Sequence, residues 1–530
     1  MSKILQQEKF KNISLFWGIP LLLAFVFQLL FASRIDLTSL ILLQYLVFIP
    51  ILHLTISVFI NTKLKQIVHI LVYSIFVLSL TIESIYLSWF ASVFSPSSLF
   101  ILLETNVAEA FEFLTFYTQW NVLIFIFLML LVLVVGIFNL KKSKFFFLHL
   151  KTTYTFVALL SLLLLLKFST LINYNFAYLF GRGVVVYNYE RLQQANLNID
   201  SPLGNFSSVE LTSPEKPKTF VLVIGESTQQ HHLQLYGYER ETTPNFSSIK
   251  DELLVFEDVV STNVYTIGAL KTALTYNDLE GDNETTIVQM MNQAGFKTFW
   301  LSNQRPVGPY ESLVTKMAKA SDKFIFTNAE LAGAKTPYDE VLIPHFQNAL
   351  KDEAPHKFIV LHLLGTHLKY YNRYPKEQDF FANQTIEGKS EEAMRFINEY
   401  DNAIRYQDEV LFNLLSELKK QEEETYFLYF SDHGEEVFST SDFAGHNEEK
   451  PTPAMYEIPF VLWHSQPKEE WENYLSRKYS TRHLIHTVAD LSGIEFDEIE
   501  PKKSIFSEEF EEIPRIISKN RNYDEWVNDN

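Results

Sequence analysis

Carboxylates and imidazoles follow several predicted β-strands in the second half of the chain, at the point where each strand ends. Glu226 follows an apolar run at Thr219–Ile224, and Asp432 and His433 follow another at Tyr426–Phe430. In open α/β sheets, ligands bind beyond the carboxyl ends of the strands, which meet at one edge. Two carboxylates and one imidazole suit Zn²⁺ or Mn²⁺. The sequence therefore predicts a metal site formed by these three residues.

A nucleophile for such a site is expected in the segment that leads into a predicted helix at Ile267–Tyr276. Thr266 would lie at or near the N-terminus of this helix. There a metal ion could deprotonate its hydroxyl group, and free N–H groups favour a bound phosphate. Sequence position alone does not distinguish Thr266 from Ser261, Thr262 or Thr272.

Two further histidines, His367 and His446, are placed to act at the same edge. Their imidazoles could hold a second cation, or could bind and protonate a phosphate oxygen. Together with the predicted metal site and hydroxyl nucleophile, they indicate an enzyme that transfers phosphoryl or sulfuryl groups. His362 lies within a predicted strand and is interpreted instead as a buried core residue.

Alternating strands and helices are predicted to position these residues. Short apolar runs separated by helical stretches are typical of an α/β domain with a mainly parallel central sheet. We predict this domain over 219–530, after a linker at 176–218. The predicted strands are Thr219–Ile224, Leu253–Val260, Lys297–Leu301, Lys357–Leu363, Tyr426–Phe430 and Ile458–Trp463.

The first part of the chain differs from the rest in composition and charge. Through residue 175 there are eleven basic and six acidic residues, whereas the remainder has 33 basic and 57 acidic residues. An apolar first part and an acidic second part indicate a membrane domain followed by a water-soluble domain. A single globular domain, a disordered chain and a basic nucleic-acid-binding protein are disfavoured. Because the sequence has no cysteine, any metal must be held by His, Asp, Glu or hydroxyl groups.

Five apolar stretches are long enough to cross about 30 Å of hydrocarbon as helices. Lysines precede the first stretch and occupy the second and fourth connections, whereas the loop 91–119 has no Lys or Arg. By the positive-inside rule, the N-terminus is cytoplasmic and the α/β domain lies on the other side of the membrane. We therefore predict a five-helix transmembrane domain over 1–175. The stretches are Leu15–Ala32, Leu40–Ile60, Ile67–Phe90, Val122–Phe138 and Tyr154–Ile172.

The loop 91–119 has its own pattern. Apolar residues recur at helical spacing between Leu99 and Phe116, with Glu104, Thr105 and Glu109 off that stripe. This spacing suits a helix that lies in the membrane interface. A solvated acidic connector is the alternative.

These motifs jointly resemble one family. The sequence is similar to the membrane-anchored phosphoethanolamine transferases of Gram-negative bacteria, in the alkaline-phosphatase/sulfatase superfamily, and most similar to the branch that modifies the lipopolysaccharide core. The resemblance covers nearly the whole chain. The segments that carry it are Val221–Thr228, Leu235–Pro244, Tyr265–Thr266, Ala273–Thr275, Phe299–Gln304, His362–His367, Arg373–Pro375, Tyr400–Asn402 and Tyr429–Val437.

The resemblance implies roles for particular residues. Glu226, Asp432 and His433 correspond to zinc ligands, Thr266 to the metal-bound nucleophile, and His367 and His446 to groups that bind the phosphoryl group or a second zinc. Thr105 and Glu109 are the candidates for substrate-pocket residues from the interfacial loop. An asparagine of some members aligns with Ile101, and the cysteines that brace many relatives are missing.

The implied reaction moves phosphoethanolamine from phosphatidylethanolamine to lipopolysaccharide through a covalent phospho-threonine. The resemblance favours a core heptose as the acceptor and leaves lipid A and periplasmic glucans open. The implied location is the inner membrane of a Gram-negative bacterium, with the catalytic domain in the periplasm. The resemblance leaves the number of metal ions and the oligomeric state open.

Other function classes remain as alternatives. A phosphoglycerol transferase of the same superfamily, acting on a periplasmic glycan, shares the five-span plan. A membrane sensor without catalytic activity is disfavoured because every expected ligand is present. A sulfatase activity is disfavoured because the sequence around Thr266 lacks the Cys/Ser-x-Pro-x-Arg context of its nucleophile.

Overall fold

The chain folds into two compact units. In the computed structural model they comprise Met1–Leu103 with Leu114–Gln193, and Gln194–Asn530. The structure describes residues 2–529 except 33, 58–61, 91, 96–97, 100–101, 104–109, 111–113, 116, 143–151, 277–284, 306–312 and 329–335. The predicted architecture of a helical N-terminal part followed by an α/β domain is confirmed.

The N-terminal unit consists of apolar helices. Phe16 stacks on Tyr73 with ring centroids 4.0 Å apart, and Phe27 stacks on Phe125 at 4.1 Å, so the first helix packs against the third and fourth. The helices are α1 (Ser2–Phe31), α2 (Ile35–Ser57), α3 (Thr62–Phe90), α4 (Trp120–Lys142), α5 (Thr152–Phe168) and α6 (Phe176–Asn196).

Three of these helices have the length and hydropathy of a membrane span within the described residues, namely Ile35–Ile56, Lys63–Phe90 and Trp120–Leu140. The apolar parts of α1 and α5, Leu15–Phe31 and Thr153–Phe168, are shorter. Each of the five predicted apolar stretches is therefore helical over most of its described residues. Helix α6 occupies the first half of the segment predicted as a linker.

A seven-stranded sheet forms the centre of the C-terminal unit. Its strands are β2 (Lys218–Gly225), β3 (Leu254–Val255), β5 (Lys297–Ser302), β6 (Lys323–Phe326), β7 (His356–His362), β8 (Glu424–Ser431) and β11 (Phe460–His464). Their order across the sheet is β3-β11-β8-β2-β7-β5-β6. Strands β8, β2, β7, β5 and β6 are mutually parallel, and β11 is antiparallel to both of its neighbours. The sheet is thus mainly parallel, as predicted, with an antiparallel edge.

One predicted strand, Leu253–Val260, is wrong as a single element. The chain leaves the central sheet after Val255, and Val259–Val260 pairs instead with Tyr479–Ser480 in a separate two-stranded sheet. Contacts of the intervening residues explain this change of partner. Phe256 is fully buried, and the Asp258 carbonyl accepts a hydrogen bond from the Tyr479 N–H group, which draws the chain towards Tyr479–Ser480. Ser261 therefore does not follow a strand of the central sheet.

The other short strands form two-stranded sheets around this centre. They are β1 (Glu210–Leu211), β4 (Val259–Val260), β9 (Glu436–Val437), β10 (Ala444–Gly445), β12 (Tyr479–Ser480), β13 (Ile494–Glu495), β14 (Ile516–Ile517) and β15 (Arg521–Asn522). The helices of this unit are α7 (Pro244–Ser248), α8 (Thr266–Leu274), α9 (Ile287–Gln293), α10 (Leu313–Lys319), α11 (Ile343–Leu350), α12 (Glu391–Leu418), α13 (Leu484–Ser492) and α14 (Tyr523–Asn528).

Helix α12 is the longest helix of the C-terminal unit within the described residues. Ser390 caps its N-terminus by accepting a hydrogen bond from the Ala393 N–H group at 3.2 Å, and Glu391 and Glu392 in the first turn complement the helix dipole. A short connection joins its C-terminus to β8, so α12 runs back along the sheet. Its N-terminal end consequently lies at the edge formed by the carboxyl ends of the parallel strands.

Candidate metal centre

Glu226 follows the central strand β2, whose eight residues are all buried between β7 and β8. The turn after it is held in an uncommon conformation, because Ser227 has a φ of 56°. Thr366 Oγ1 donates to the Glu226 carbonyl at 2.9 Å, and the Tyr400 hydroxyl donates to the Ser227 carbonyl at 2.7 Å. These bonds fix the Glu226 side chain at the edge of the sheet.

Asp432 and His433 follow the adjacent strand β8 and are fully buried. Asp432 Oδ1 accepts hydrogen bonds from the N–H groups of Ser227 at 3.1 Å and His433 at 2.7 Å. His433 Nδ1 contacts the Gly434 carbonyl at 2.8 Å. The remaining atoms, Asp432 Oδ2 and His433 Nε2, are buried without a hydrogen-bond partner among the described residues.

These free atoms converge with Glu226 on one point. His433 Nε2 lies 3.3 Å from Glu226 Oε1 and 3.7 Å from Asp432 Oδ2. The ligand atoms of the three residues all lie within 4.8 Å of one another, so the group could hold a metal ion. Buried polar atoms without partners are rare, and a set of two carboxylates and one imidazole fits a zinc ion. The structure thus brings the predicted ligands together.

The electrostatics of the group also favour a cation. Burial raises the pKa of Asp432, and the neighbouring charge of Glu226 raises it further, well above its ordinary value. Burial opposes protonation of His433, but the charges of Asp432 and Glu226 raise its pKa to about 10. Burial also opposes ionisation of Glu226, yet its close contact with His433 and the charges of nearby histidines hold its pKa below the ordinary range. Two buried carboxylates therefore share the positive charge of one imidazolium. A divalent ion would relieve the repulsion between the two carboxylates.

Thr266 is the first residue of helix α8 and points its hydroxyl group at this centre. Thr266 Oγ1 lies 3.2 Å from Glu226 Oε1 and 3.0 Å from Glu226 Oε2, which accept its hydrogen bond. The alternatives bond elsewhere, since Ser261 Oγ donates to the Asn263 carbonyl and Thr272 Oγ1 to the Gly268 carbonyl. Among these candidates, Thr266 is thus the hydroxyl that bonds a carboxylate of the centre, and the hydroxyl of Ser227, next to Glu226, also donates to Glu226 Oε1 at 3.0 Å.

A second group of possible ligands lies beside the first. Strands β9 and β10 form a hairpin that brings His446 to within 4.6 Å of His433, measured between ring centroids. His446 Nδ1 lies 2.7 Å from Glu435 Oε2, and the Tyr370 hydroxyl donates to Glu435 Oε1 at 2.8 Å. His433, Glu435 and His446 also satisfy the spacing of a metal-binding group.

Of the other histidines and loop residues considered from the sequence, the structure describes His367 and His362 but not Thr105 and Glu109. His367 is half-buried near Glu226, and its Nδ1 has no hydrogen-bond partner among the described residues. His362 ends strand β7 and is buried, and burial lowers its pKa to about 4 despite the nearby charge of Glu226. Thr105 and Glu109 lie outside the described residues.

Two residues of the site were missed by reasoning from the sequence. Gln304 Nε2 donates to Glu226 Oε2 at 3.2 Å and to the Leu363 carbonyl at 2.9 Å, which ties the carboxylate to the sheet edge. Glu435 is fully buried and orients His446. Their positions in the sequence could have indicated both residues. Gln304 lies two residues after the end of β5, and Glu435 lies four residues after the end of β8.

Gly434 is needed at this site because the backbone of another segment passes close to it. A Cβ atom there would lie 2.1 Å from the Ala454 carbonyl oxygen and 2.9 Å from that of Glu457. Gly434→Ala is therefore expected to lower the free energy of unfolding by about 1–3 kcal/mol and to reduce metal content. Thermal unfolding and elemental analysis measure both effects.

Gly388→Ala is the matched control, because nothing lies within 4 Å of its Cβ position although its φ is 77°. That variant should lose only about 1 kcal/mol from backbone strain and keep its metal. Equal metal content in the two variants would contradict the role given to the turn at Gly434.

Comparisons with known proteins identify relatives of this chain. The model of the family described as "Sulfatase" matches residues 218–494. "Phosphoethanolamine transferase CptA" of Salmonella typhimurium is 38% identical over 355 residues, which are 62% of this chain and 61% of that relative. The match therefore spans less than two thirds of the relative's length.

Solved structures match both the C-terminal unit and the longer chain. The crystal structure of the C-terminal periplasmic domain of EcEptC from Escherichia coli in complex with Zn is 38% identical, with a TM-score of 0.56 over 61% of this chain and 94% of that one. The integral membrane protein lipooligosaccharide phosphoethanolamine transferase A (EptA) from Neisseria meningitidis is 19% identical, with a TM-score of 0.68 over 93% of this chain and 97% of that one. The latter shows a shared fold, and the resemblance expected from the motifs is confirmed. Because the family match covers more than half of the sequence and contains the whole buried cluster, this chain belongs to the sulfatase family.

Proposed function

We propose that this protein transfers phosphoethanolamine from phosphatidylethanolamine to lipopolysaccharide, with the core heptose as the favoured acceptor and lipid A as the second. The observation that carries the proposal is the hydrogen bond from Thr266 to Glu226 at a buried group of metal ligands. The names of the relatives support the transferred group, and the complex of EcEptC with Zn supports the metal.

Glu226, Asp432, His433 and Thr266 would hold Zn²⁺, or Mn²⁺. When bound, the ion would lower the pKa of the Thr266 hydroxyl and neutralise charge that develops on phosphate oxygens. Glu226 orients Thr266, because both of its carboxylate oxygens lie within 3.2 Å of the hydroxyl. Asp432 and His433 are locked by backbone hydrogen bonds, so the site is formed before substrate arrives.

In the first half-reaction, Thr266 Oγ1 attacks the phosphorus of phosphatidylethanolamine. A bond from threonine oxygen to phosphorus forms, and the bond from phosphorus to the diacylglycerol oxygen breaks. The proton of the Thr266 hydroxyl passes to Glu226, and the leaving oxygen takes a proton from His446 or His367. In the second half-reaction, a sugar hydroxyl of the acceptor attacks the phosphorus and gives its proton to that histidine. The bond from phosphorus to the threonine oxygen breaks, and Thr266 regains its proton from Glu226.

His446 suits the acid role in this scheme for a structural reason. Its Nδ1 is engaged by Glu435, which leaves Nε2 as the atom that faces substrate. A carboxylate bonded to Nδ1 fixes the tautomer and the orientation of the ring. His433 Nδ1 likewise contacts the Gly434 carbonyl, so each ring has its Nδ1 engaged and its Nε2 left over. The two rings lie 4.6 Å apart, measured between centroids, and this fixes the arrangement of the two Nε2 atoms.

The proposal includes a location in the inner membrane of a Gram-negative bacterium. Five spans would leave the N-terminus in the cytoplasm and the C-terminal unit in the periplasm. Donor and acceptor are both lipids, so a tethered site raises their effective concentration. Thr105 and Glu109 are proposed to contact substrate from the loop 91–119.

Mass spectrometry of lipopolysaccharide tests the proposed function. Lipopolysaccharide from cells with and without the protein is split into core oligosaccharide and lipid A by mild acid. We expect one phosphoethanolamine increment on the core fraction only when the protein is present. An increment on lipid A would keep the chemistry and change the acceptor. No increment on either fraction would contradict the proposal and favour phosphoglycerol transfer to a periplasmic glycan.

A further inference from the structure

A cavity of about 490 Å³ lies on the C-terminal unit beside the first turns of helix α12. One wall is the segment 379–385, and the other is formed by side chains of α12 between Glu391 and Glu399. Its lining residues are different from those of the metal centre. A concave site of a few hundred cubic ångströms with several polar groups is typical of a small-ligand site.

The lining chemistry points to one class of ligand. Three carboxylates and one guanidinium group line the cavity, so its charge disfavours phosphates and carboxylates. Among the described residues, the only apolar ones in its lining are Met394 and Ala382, and the aliphatic parts of the polar side chains supply the rest of its apolar surface. Carboxylates accept hydrogen bonds from hydroxyl groups, and side-chain amides both donate and accept, which suits an uncharged sugar. The polar lining residues are Asp379, Asn383, Gln384, Thr385, Glu391, Arg395, Asn398 and Glu399.

The walls of the cavity are fixed by buried hydrogen bonds. Asn398 is only 4% exposed, donates to the Gln384 carbonyl at 2.9 Å and accepts from Arg240 at 2.7 Å. Asn402 donates to Asp379 Oδ1 at 2.6 Å and accepts from the Phe381 N–H group at 3.1 Å. Holding the wall in place before binding reduces the entropy lost when a ligand binds.

The cavity lies on the side of the C-terminal unit toward which the carboxyl ends of the parallel strands point. The N-terminal end of α12 reaches the edge that these ends form, and Tyr400, next to Glu399, donates its hydroxyl hydrogen to the carbonyl of Ser227 at 2.7 Å. Ser227 directly follows Glu226. The distance from Glu399 in the cavity wall to Glu226 at the metal centre is therefore at most about 20 Å, which is the length of the path through the backbone of Tyr400, its side chain, the hydrogen bond and Ser227. A short oligosaccharide spans such a distance.

We propose that this cavity binds uncharged sugar residues of the acceptor glycan while a neighbouring hydroxyl group of the same glycan reaches Thr266. This inference rests on the proposed function, because it assigns the acceptor of that reaction to a second contact on the same unit. It gives the enzyme a means of choosing its acceptor that is separate from the transfer chemistry.

The ionisation of Glu399 is compatible with this ligand. Burial raises its pKa to about 7, with the charge of Asp379 adding to the effect and that of Arg395 opposing it. A carboxyl group that is partly protonated near neutral pH can donate a hydrogen bond to a sugar oxygen as well as accept one.

The test uses the full-length protein in lipid nanodiscs and a soluble probe. The probe is core oligosaccharide released from lipopolysaccharide by mild acid and then dephosphorylated, and binding is measured by calorimetry. Ala382→Trp places a large ring in the exposed mouth of the cavity and is expected to weaken binding by at least about tenfold. Asn383→Ala removes amide donors and an acceptor without adding volume and should weaken binding by about threefold.

Glu387→Trp is the matched control, because Glu387 is exposed two residues beyond the segment 379–385 and does not line the cavity. It should change affinity by less than about twofold. Wild-type affinity in both Ala382→Trp and Asn383→Ala, or no binding of the probe to the wild type, would overturn the inference. Release of diacylglycerol from phosphatidylethanolamine by the wild-type protein, measured separately, tests the proposed function, so the two failures are distinguishable.

Discussion

Replacing Thr266 by alanine is expected to abolish phosphoethanolamine transfer while the protein stays folded. The variant removes the hydroxyl that lies 3.0 Å from Glu226 Oε2 and leaves the ligand set of Glu226, Asp432 and His433 intact. Loss of a covalent nucleophile costs roughly 10³-fold or more in rate. Release of diacylglycerol from phosphatidylethanolamine measures the loss, and thermal unfolding checks the fold.

Thr266→Ser is the matched variant, because it keeps the hydroxyl and removes only a methyl group. It should retain measurable transfer, well above that of the alanine variant. Thr272→Ala serves as a second control, since its hydroxyl is bonded to the Gly268 carbonyl within helix α8 and does not face the carboxylates. Transfer by Thr266→Ala at the wild-type rate would refute the assignment of the nucleophile.

Removal of the metal is expected to have the second large effect, on both activity and stability. Without a cation, the buried carboxylates of Glu226 and Asp432 face each other beside a single imidazole. We expect a chelator to reduce transfer by roughly 10³-fold, since a metal ion contributes several kcal/mol to the stabilisation of transition-state charge. A ligand that binds only the native state also raises its stability, so the melting temperature should fall.

Asp432→Asn gives the control for this experiment. The variant removes one charge and one ligand, so it should contain less metal, and the chelator should hardly change its melting temperature. Restoring Zn²⁺ should recover the activity and stability of the wild type but not of the variant. Full activity in a wild-type preparation that elemental analysis shows to be free of metal would contradict the site.

The central strands of the C-terminal unit could be predicted from the sequence because they are buried on both faces, and such strands are continuous apolar runs. Runs at Thr219–Ile224 and Tyr426–Phe430 are continuous apolar segments, and the observed strands β2 and β8 extend them by only one or two residues at each end. Since these strands are parallel neighbours, the residues after them, Glu226 and Asp432, had to meet.

Other parts of the site depend on contacts that sequence patterns do not encode. Thr266 could not be distinguished from Ser261 until the chain path was known, because Val259–Val260 pairs outside the central sheet. His446 reaches His433 only through the hairpin of β9 and β10, whose strands have two residues each and carry no periodic signal. Glu435 was given no role from the sequence, although it is buried and orients His446.

Trapping the covalent intermediate tests the central claim most directly. The purified full-length protein is incubated with phosphatidylethanolamine without acceptor, quenched with acid and digested, and the peptides are mapped by mass spectrometry. We predict one phosphoethanolamine increment on Thr266 in the wild type, absent in Thr266→Ala and lost when acceptor lipopolysaccharide is added. An increment on another residue, or a phosphoglycerol increment on Thr266 with phosphatidylglycerol as the only active donor, would contradict the account.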